Sequence, residues 1–150
     1  MKASSFFRWK PAAVFLWLFA IIFGLFGVLN VALARLASLG RLPHPVIQNP
    51  SKMARSFIIG AIENIAITTL FIFAWYLMRR RTPITLLVGV VPVWVGLLIS
   101  VVRWLHWGLN SRTDFVEPLL FWPFCLYVII YGYRESRVAS SSQNFSARTD

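Results

Sequence analysis

Cysteine, histidine and acidic residues are scarce in this sequence, and their scarcity excludes several kinds of site. The chain has one Cys, two His and five Asp or Glu among 150 residues. A single cysteine excludes an internal disulfide, and without CxxC pairs or further histidines the sequence supports neither a zinc site nor a hydrolase triad. It also lacks a glycine-rich phosphate loop. The lone Cys125, inside an apolar run, is predicted to be a buried thiol.

Apolar residues, in contrast, are abundant. Hydrophobic residues make up 58% of the sequence, charged residues 13%, and the mean hydropathy is +0.68. A soluble chain of this length does not need so many apolar residues to fill its core, so an integral membrane protein is expected. Lys and Arg number 15 and give a net charge of +10, but most flank the apolar runs. They are interpreted as topology signals and contacts to lipid headgroups, not as a nucleic-acid surface.

Four apolar runs come close to the roughly 20 residues that a helix needs to cross a bilayer. They cover residues 12–38, 57–78, 84–107 and 115–134. Prolines, charges and turn residues separate them. The predicted fold class is therefore an all-α integral membrane protein, a four-transmembrane-helix bundle within residues 1–137. The serine-rich segment 138–150 is predicted to be a disordered polar tail.

The first apolar run has the flanks of a signal peptide, but it is much longer than a signal-peptide core, so an uncleaved first helix is expected. With four spans, both tails share a side with the loop at 79–83. Nine basic residues on that side, against five on the other, predict cytoplasmic termini. The nine are Lys2, Arg8, Lys10, Arg79, Arg80, Arg81, Arg134, Arg137 and Arg148, and the five are Arg35, Arg41, Lys52, Arg55 and Arg112. The expected location is the endoplasmic reticulum or a bacterial inner membrane.

Polar residues inside the second and third predicted spans are the main functional signal. Glu63 and Asn64 lie about a third of the way along the second span, and Arg103 and His106 lie near the end of the third. An ionisable side chain inside a bilayer costs roughly 2.5 to 3.5 kcal/mol, so such residues usually face the protein interior and often mark function. Consecutive spans run in opposite directions, which predicts similar depths near one membrane face. Glu63, Arg103 and His106 are the candidate catalytic residues.

Small and polar residues recur at steps of three and four along these spans, which predicts one stripe on each helix. The stripes comprise Ser56, Gly60, Glu63, Asn64 and Thr68 on one helix, and Gly96, Ser100, Arg103, His106 and Trp107 on the other. Because small residues permit close approach and polar ones bond across helices, the stripes are expected to face each other. Pro92 and Pro123 are expected to kink their helices and open a cavity. Tyr127, Tyr131 and Arg134 would form a further wall.

Each of these residues also has a structural interpretation. Glu63 and Arg103 would form an ion pair that fixes the register of two helices, or would contact another subunit. His106 would belong to the aromatic belt at the membrane interface, and the tyrosines of the fourth helix would simply pack. Asp114 and Glu117 have the spacing of a helix capping box.

Two short segments carry a family resemblance. In ARSFIIGAIENIA, residues 54–66, an arginine precedes a Glu-Asn pair by about two helical turns. In RWLHWGLN, residues 103–110, an arginine and a histidine have R-x-x-H spacing. In these motifs the chain resembles the MAPEG family, the small four-helix membrane proteins of eicosanoid and glutathione metabolism that include microsomal glutathione transferases. Chain length, helix count and the proline that opens the third helix are also similar.

The resemblance implies a homotrimer in which glutathione lies between neighbouring protomers and a lipophilic substrate enters from the bilayer. Its candidate glutathione-binding residues are Arg55, Asn64, Asn110 and Arg112. Arg55 is displaced by one residue from the family's arginine, and Asn110 stands where a tyrosine is expected. Arg112 lies in a loop instead of the fourth helix. The family's pocket opens toward the cytosol, which would place the loop at 39–56 inside, opposite to the charge count.

Three functions are compatible with these residues. A glutathione-dependent transferase or isomerase would use the arginines to lower the pKa of a bound thiol. A thiol-independent isomerase or cyclase would use Glu63 as a proton donor to an apolar substrate. A non-enzymatic accessory subunit would use the polar stripes only to assemble with copies of itself or with a partner.

Overall fold

The structure of the protein, a computed structural model, describes residues 3–41, 50–107 and 117–146, and the side chains of 11–41, 51–105 and 118–141. Every regular element within these ranges is helical. The elements are α1 (Ala3–Ser38), α2 (Pro50–Met78), α3 (Pro83–Trp107), a π-helical turn (Glu117–Phe121) and α4 (Trp122–Ser146). The predicted all-α class is therefore confirmed for the part of the chain described.

Three of the helices are long and apolar enough to cross a membrane. The segments that qualify by length and composition are Pro11–Ser38, Ser51–Met78 and Pro83–Leu105, with mean hydropathies of 2.6, 2.0 and 2.5. Each exceeds the roughly 20 residues that a 30 Å hydrocarbon layer requires. The expectation of a membrane-embedded helical protein is thus confirmed at this level.

The start of α3 shows how the sequence sets a helix boundary. Thr82 Oγ1 accepts a hydrogen bond from the Thr85 backbone N–H at 3.2 Å, and the Thr82 backbone N–H donates to Thr85 Oγ1 at 3.1 Å. This reciprocal pair works as a capping box does, by satisfying donors that lack partners in the first turn. Pro83 occupies the first helical position, where its missing N–H is not needed. α2 also begins at a proline, Pro50, ahead of the predicted start at residue 57.

α4 departs most from its predicted bounds. It begins after a π-helical turn, and Pro123 lies in its first turn and not in its interior. A proline cannot donate to the carbonyl four residues back, which favours an irregular turn at this point. The helix then continues through Ser146, whereas the sequence predicts a disordered tail from residue 138. Ser136 and Ser140 donate to backbone carbonyls of the same helix at 2.8 Å, so their hydroxyls are satisfied without leaving it.

The helices form a closed bundle in which each packs on the next and α1 also contacts α4. Glycines set the closest approaches. A Cβ atom at Gly27 of α1 would lie 3.0 Å from Ile65 Cγ1 of α2, and one at Gly96 of α3 would lie 2.8 Å from the Phe71 ring of α2. A side chain at Gly132 of α4 would overlap Val90 of α3. Small residues at these crossings permit close packing, the main source of helix association in lipid.

Six aromatic rings fill the middle of the bundle, and we call them the phenylalanine core. They are Phe15, Phe19, Phe23, Phe71, Phe121 and Phe124. Phe121 connects three helices, since its ring centroid lies 4.9 Å from that of Phe23 and 5.6 Å from that of Phe71. The void beside these rings is only about 10 Å³, and Cys125, which lines it, is buried and forms no disulfide, as predicted. The cavity that Pro92 and Pro123 were expected to open is therefore not found beside these rings.

Candidate functional site

One hydrogen bond joins the two predicted polar stripes. Arg103 of α3 donates from Nη1 to Oδ1 of Asn64 on α2 at 3.0 Å. Asn64 is only 5% exposed, and Arg103 is half-buried. A hydrogen bond from a charged donor is shorter and stronger than a neutral one, and more so where water is scarce. The pair therefore fixes the position of a guanidinium between two membrane helices.

The Arg103 guanidinium also contacts an aromatic face. Its Cζ lies 5.7 Å from the ring centroid of Phe23 on α1, within the range of a cation–π interaction. Phe23 itself is buried and belongs to the phenylalanine core. Arg103 is thus located at the boundary between that core and the polar residues beyond it.

Glu63, the other predicted catalytic residue of α2, is half-buried and does not meet Arg103. Among the residues described, no ion pair is found between these two side chains, and Arg103 donates a hydrogen bond to Asn64. The cause is helical geometry, because successive residues are rotated by about 100° around the axis. With Asn64 directed at Arg103, Glu63 points toward the flank of α2. The predicted ion pair within one chain is therefore replaced by a hydrogen bond to an amide.

The two stripes do not face each other along their length. Gly60 of α2 faces Asn30 of α1, whose Nδ2 would lie 3.3 Å from a Cβ at Gly60. Thr68 of α2 donates to the Ala20 carbonyl of α1 at 3.3 Å as well as to its own helix. The α2 stripe therefore packs mainly on α1, and Asn64, at its edge, is the residue that reaches α3.

Within the α3 stripe, Ser100 contacts α4, whereas Gly96 and Arg103 contact α2. Ser100 is fully buried and its Oγ accepts a hydrogen bond from Trp122 Nε1 at 3.0 Å. The Trp104 and Trp122 rings meet edge to face, with centroids 5.7 Å apart. This interaction anchors the start of α4 to the end of α3 and closes the bundle beside Arg103.

These contacts define a region that we call the polar end. It comprises Asn30, Gly60, Glu63, Asn64, Ser100, Arg103 and Trp122. Sequence reasoning missed the contribution of α1. The signal was present, because Gly24, Gly27 and Asn30 recur at steps of three and place small and polar groups on one helix face. Those three residues provide the surface on which the α2 stripe packs.

The remaining predicted site residues are either exposed or outside the described side chains. Arg55 is exposed on α2. The side chain of His106 lies outside the part described, as do Asn110, Arg112 and the predicted cap residue Asp114. Within the described residues, no group of three or more His, Cys, Asp and Glu side chains is close enough to bind a metal ion.

The tyrosine row of α4 lies at the opposite end of the bundle and does not wall the polar end. Gly132, next to Tyr131, packs on Leu86 and Val90 in the first part of α3, whereas Trp122 packs on its last part. At 1.5 Å per residue, Arg134 is about 18 Å beyond Trp122 along α4. The row belongs to the end that carries the loop at 79–83.

No protein-family model, curated protein or solved structure matches this chain. A function for this chain is therefore inferred from the contacts of the polar end. They consist of one oriented guanidinium, one buried amide and one half-buried carboxyl group near the same end of a membrane bundle.

Proposed function

We propose that the chain is a membrane-embedded enzyme that acts on a lipophilic small molecule at the polar end. The observation that supports this most is the 3.0 Å hydrogen bond from Arg103 to Asn64, which orients a cation inside the bundle. An oriented cation in a region with little water stabilises an anionic group more than a mobile one in solvent does. In this proposal Arg103 binds or activates an anionic group of a substrate or co-substrate, and Asn64 positions Arg103.

Glutathione is the co-substrate that we propose. A guanidinium near a thiol lowers its pKa from about 8.5 toward neutrality and so increases the fraction of reactive thiolate. The resemblance of the segments 54–66 and 103–110 to MAPEG motifs supports the same choice. Arg55, exposed on α2, would contribute a second cation for the carboxylates of the tripeptide.

We further propose that the enzyme is a homotrimer with its site between protomers. Arg55 is exposed and Glu63 is half-buried on the same helix, so a ligand that contacts both would lie on the outer surface of one bundle. A neighbouring protomer would cover such a ligand from the other side. Glu63 would then accept a hydrogen bond from the ammonium group of glutathione.

Four spans and cytoplasmic termini complete the proposal. α4 packs on the last part of α3 through Trp122 and on its first part through Gly132, so it runs the length of a helix that is long enough to cross. A fourth crossing would place both tails on the side of the loop at 79–83. The excess of basic residues there favours the cytoplasm.

Glutathione binding by the detergent-solubilised protein, measured together with its oligomeric mass, tests this proposal. We expect a trimer that binds glutathione at millimolar concentration or below, with an affinity that falls as salt is added, because the ligand is anionic. A trimer without measurable affinity would contradict the glutathione-dependent function. A monomer that binds glutathione would contradict the interprotomer site.

A thiol-independent isomerase or cyclase is the second candidate, and the position of Glu63 supports it. Arg103 is bonded to Asn64, and the neighbouring Glu63 is a half-buried carboxyl group that a substrate beside α2 would contact. Glu63→Gln separates the two candidates, because it should abolish turnover in a proton-donating enzyme but only weaken glutathione binding in a transferase. If this variant retained every measured activity, an accessory subunit without catalysis would replace both.

A further inference from the structure

A second polar site lies at the end of the bundle opposite to Arg103. An open pocket of about 350 Å³ is lined by Tyr127, Ile130, Tyr131, Arg134 and Glu135, all on α4. Tyr131 is buried, Arg134 is exposed and Glu135 is half-buried. The pocket therefore changes from aromatic and apolar walls to charged ones over about two turns of helix.

The surroundings of the pocket are strongly basic. α2 ends at Met78 and is followed by Arg79, Arg80 and Arg81. The charges of Glu135 and of Arg81 both act on the Tyr131 phenol, and Arg137 lies one helical turn beyond Arg134. Arginines at this point follow the last apolar turn of a membrane-spanning helix, which places the pocket at the boundary between hydrocarbon and headgroups.

The three loop arginines differ in their contacts. Arg79 stacks on Trp75 with Cζ 5.4 Å from the ring centroid. Arg80 stacks on Tyr76 at 5.4 Å and donates to its hydroxyl at 3.0 Å. Arg79 and Arg80 therefore lie against aromatic side chains of α2, and the charge of Arg81 acts on Tyr131 of the pocket.

Arg81 also has an unusual backbone conformation. Its φ is +54°, the single positive value found for a non-glycine residue in the described part of the chain. A left-handed residue at the end of a helix is usually glycine, because a Cβ atom is disfavoured there. The chain thus carries a guanidinium where glycine would fit with less strain.

We propose that this pocket binds the phosphate-bearing headgroup of an anionic phospholipid from the adjacent leaflet. Arg134 has the planar pair of donors that matches phosphate oxygens, and Tyr127 and Tyr131 line the same pocket. Basic pockets on transmembrane helices bind anionic headgroups in this way. Ile130 and the tyrosine rings would contact the glycerol backbone and the first acyl carbons. Glu135 would accept a hydrogen bond from a headgroup hydroxyl, as phosphatidylglycerol offers.

Native mass spectrometry of the full chain in detergent, titrated with phosphatidylglycerol or phosphatidylcholine, tests the proposal. We expect preferential retention of phosphatidylglycerol and a loss of affinity of about tenfold in Arg134→Gln and in Arg81→Gly. Because glycine adopts a positive φ readily, Arg81→Gly should keep or raise thermal stability, so its loss of binding would not reflect unfolding. Arg80→Gln removes the same charge from the same loop and should change the affinity less than twofold.

Equal losses in all three variants would overturn the proposal, because they would show a diffuse attraction of charge. Unchanged affinity in Arg134→Gln and Arg81→Gly would overturn it as well. The source of the phosphate is tested by adding glycerol 3-phosphate in tenfold excess over the lipid. Displacement of the lipid by this soluble ester would contradict a lipid site and indicate a site for small phosphate esters.

Discussion

The phenylalanine core and the polar end are adjacent regions of one bundle, and their helices are held together by different interactions. In the core, rings from α1, α2 and the start of α4 pack around a void of only about 10 Å³ that is lined by apolar side chains. At the polar end, side-chain hydrogen bonds from Arg103 to Asn64 and from Trp122 to Ser100 join neighbouring helices. The rings of the core are held by packing, which has little directional preference. Each hydrogen bond of the polar end, in contrast, requires one donor and one acceptor at fixed positions.

Arg103 is the residue at which the two regions meet, because its guanidinium contacts Phe23 on one side and Asn64 on the other. The Phe23 ring thereby contacts the Arg103 guanidinium, a charged group whose burial in a membrane costs free energy. We infer that stability resides mainly in the core and function mainly in the polar end. Substitutions in each region should separate these two properties.

The largest effect is expected in the core. Phe121→Ala removes a fully buried ring that packs on Phe19, Phe23 and Phe71 and should lower the free energy of unfolding by about 3 to 5 kcal/mol. Reversible unfolding in mixed micelles measures this change. Phe26→Ala, at a residue that is 54% exposed on α1, is the matched control and should change it by less than about 1 kcal/mol. Equal losses in both variants would mean that Phe121 is not a core residue.

An intermediate effect is expected for the contact between the two stripes. Asn64→Leu removes the acceptor of a charged donor and should cost about 1.5 to 3 kcal/mol. In a double-mutant cycle, Asn64→Leu and Arg103→Leu should be non-additive by at least about 1 kcal/mol, since each removes the same hydrogen bond.

The same cycle with Glu63 sharpens this prediction. Glu63→Gln and Arg103→Gln should be additive in a single protomer, because their side chains do not meet. Strong coupling between residues 63 and 103, together with none between 64 and 103, would require α2 to be rotated by about 100° from the orientation described. Coupling of 63 to 103 that disappears on dilution to the monomer would instead locate the contact between subunits.

The smallest effect is expected at the contact between α3 and α4. Trp122→Phe keeps an aromatic ring but removes the N–H that donates to Ser100, which should cost about 1 kcal/mol. Trp94→Phe, at a position that is 45% exposed, should cost less. Thermal unfolding followed by circular dichroism compares the two. A larger loss in Trp94→Phe would contradict the assignment of Ser100 as the partner of the Trp122 indole.

Much of the fold was predictable because it depends on long apolar runs, and these are visible in the sequence. The prediction that the tyrosine row walls the cavity near Arg103 was wrong, although the connectivity of the helices places the row at the other end. The end of α3 lies beside the start of α4, so Tyr131 and Arg134 must approach the other face. The partner of Arg103 was not predictable, since Glu63 and Asn64 are neighbours and only the rotation of α2 decides between them. That rotation depends on packing against Gly24 and Gly27 of α1, which composition alone does not specify.

The central claim is that Arg103 of the polar end is required for function. Glutathione binding to the Arg103→Gln variant tests it most directly. The measurement is an equilibrium titration of the detergent-solubilised variant, with helical content and oligomeric mass matched to the unmodified protein. We predict a dissociation constant at least tenfold higher for Arg103→Gln, and unchanged values for Arg80→Gln and Phe26→Ala, which lie outside the polar end. An unchanged constant in a correctly assembled Arg103→Gln protein would contradict the account.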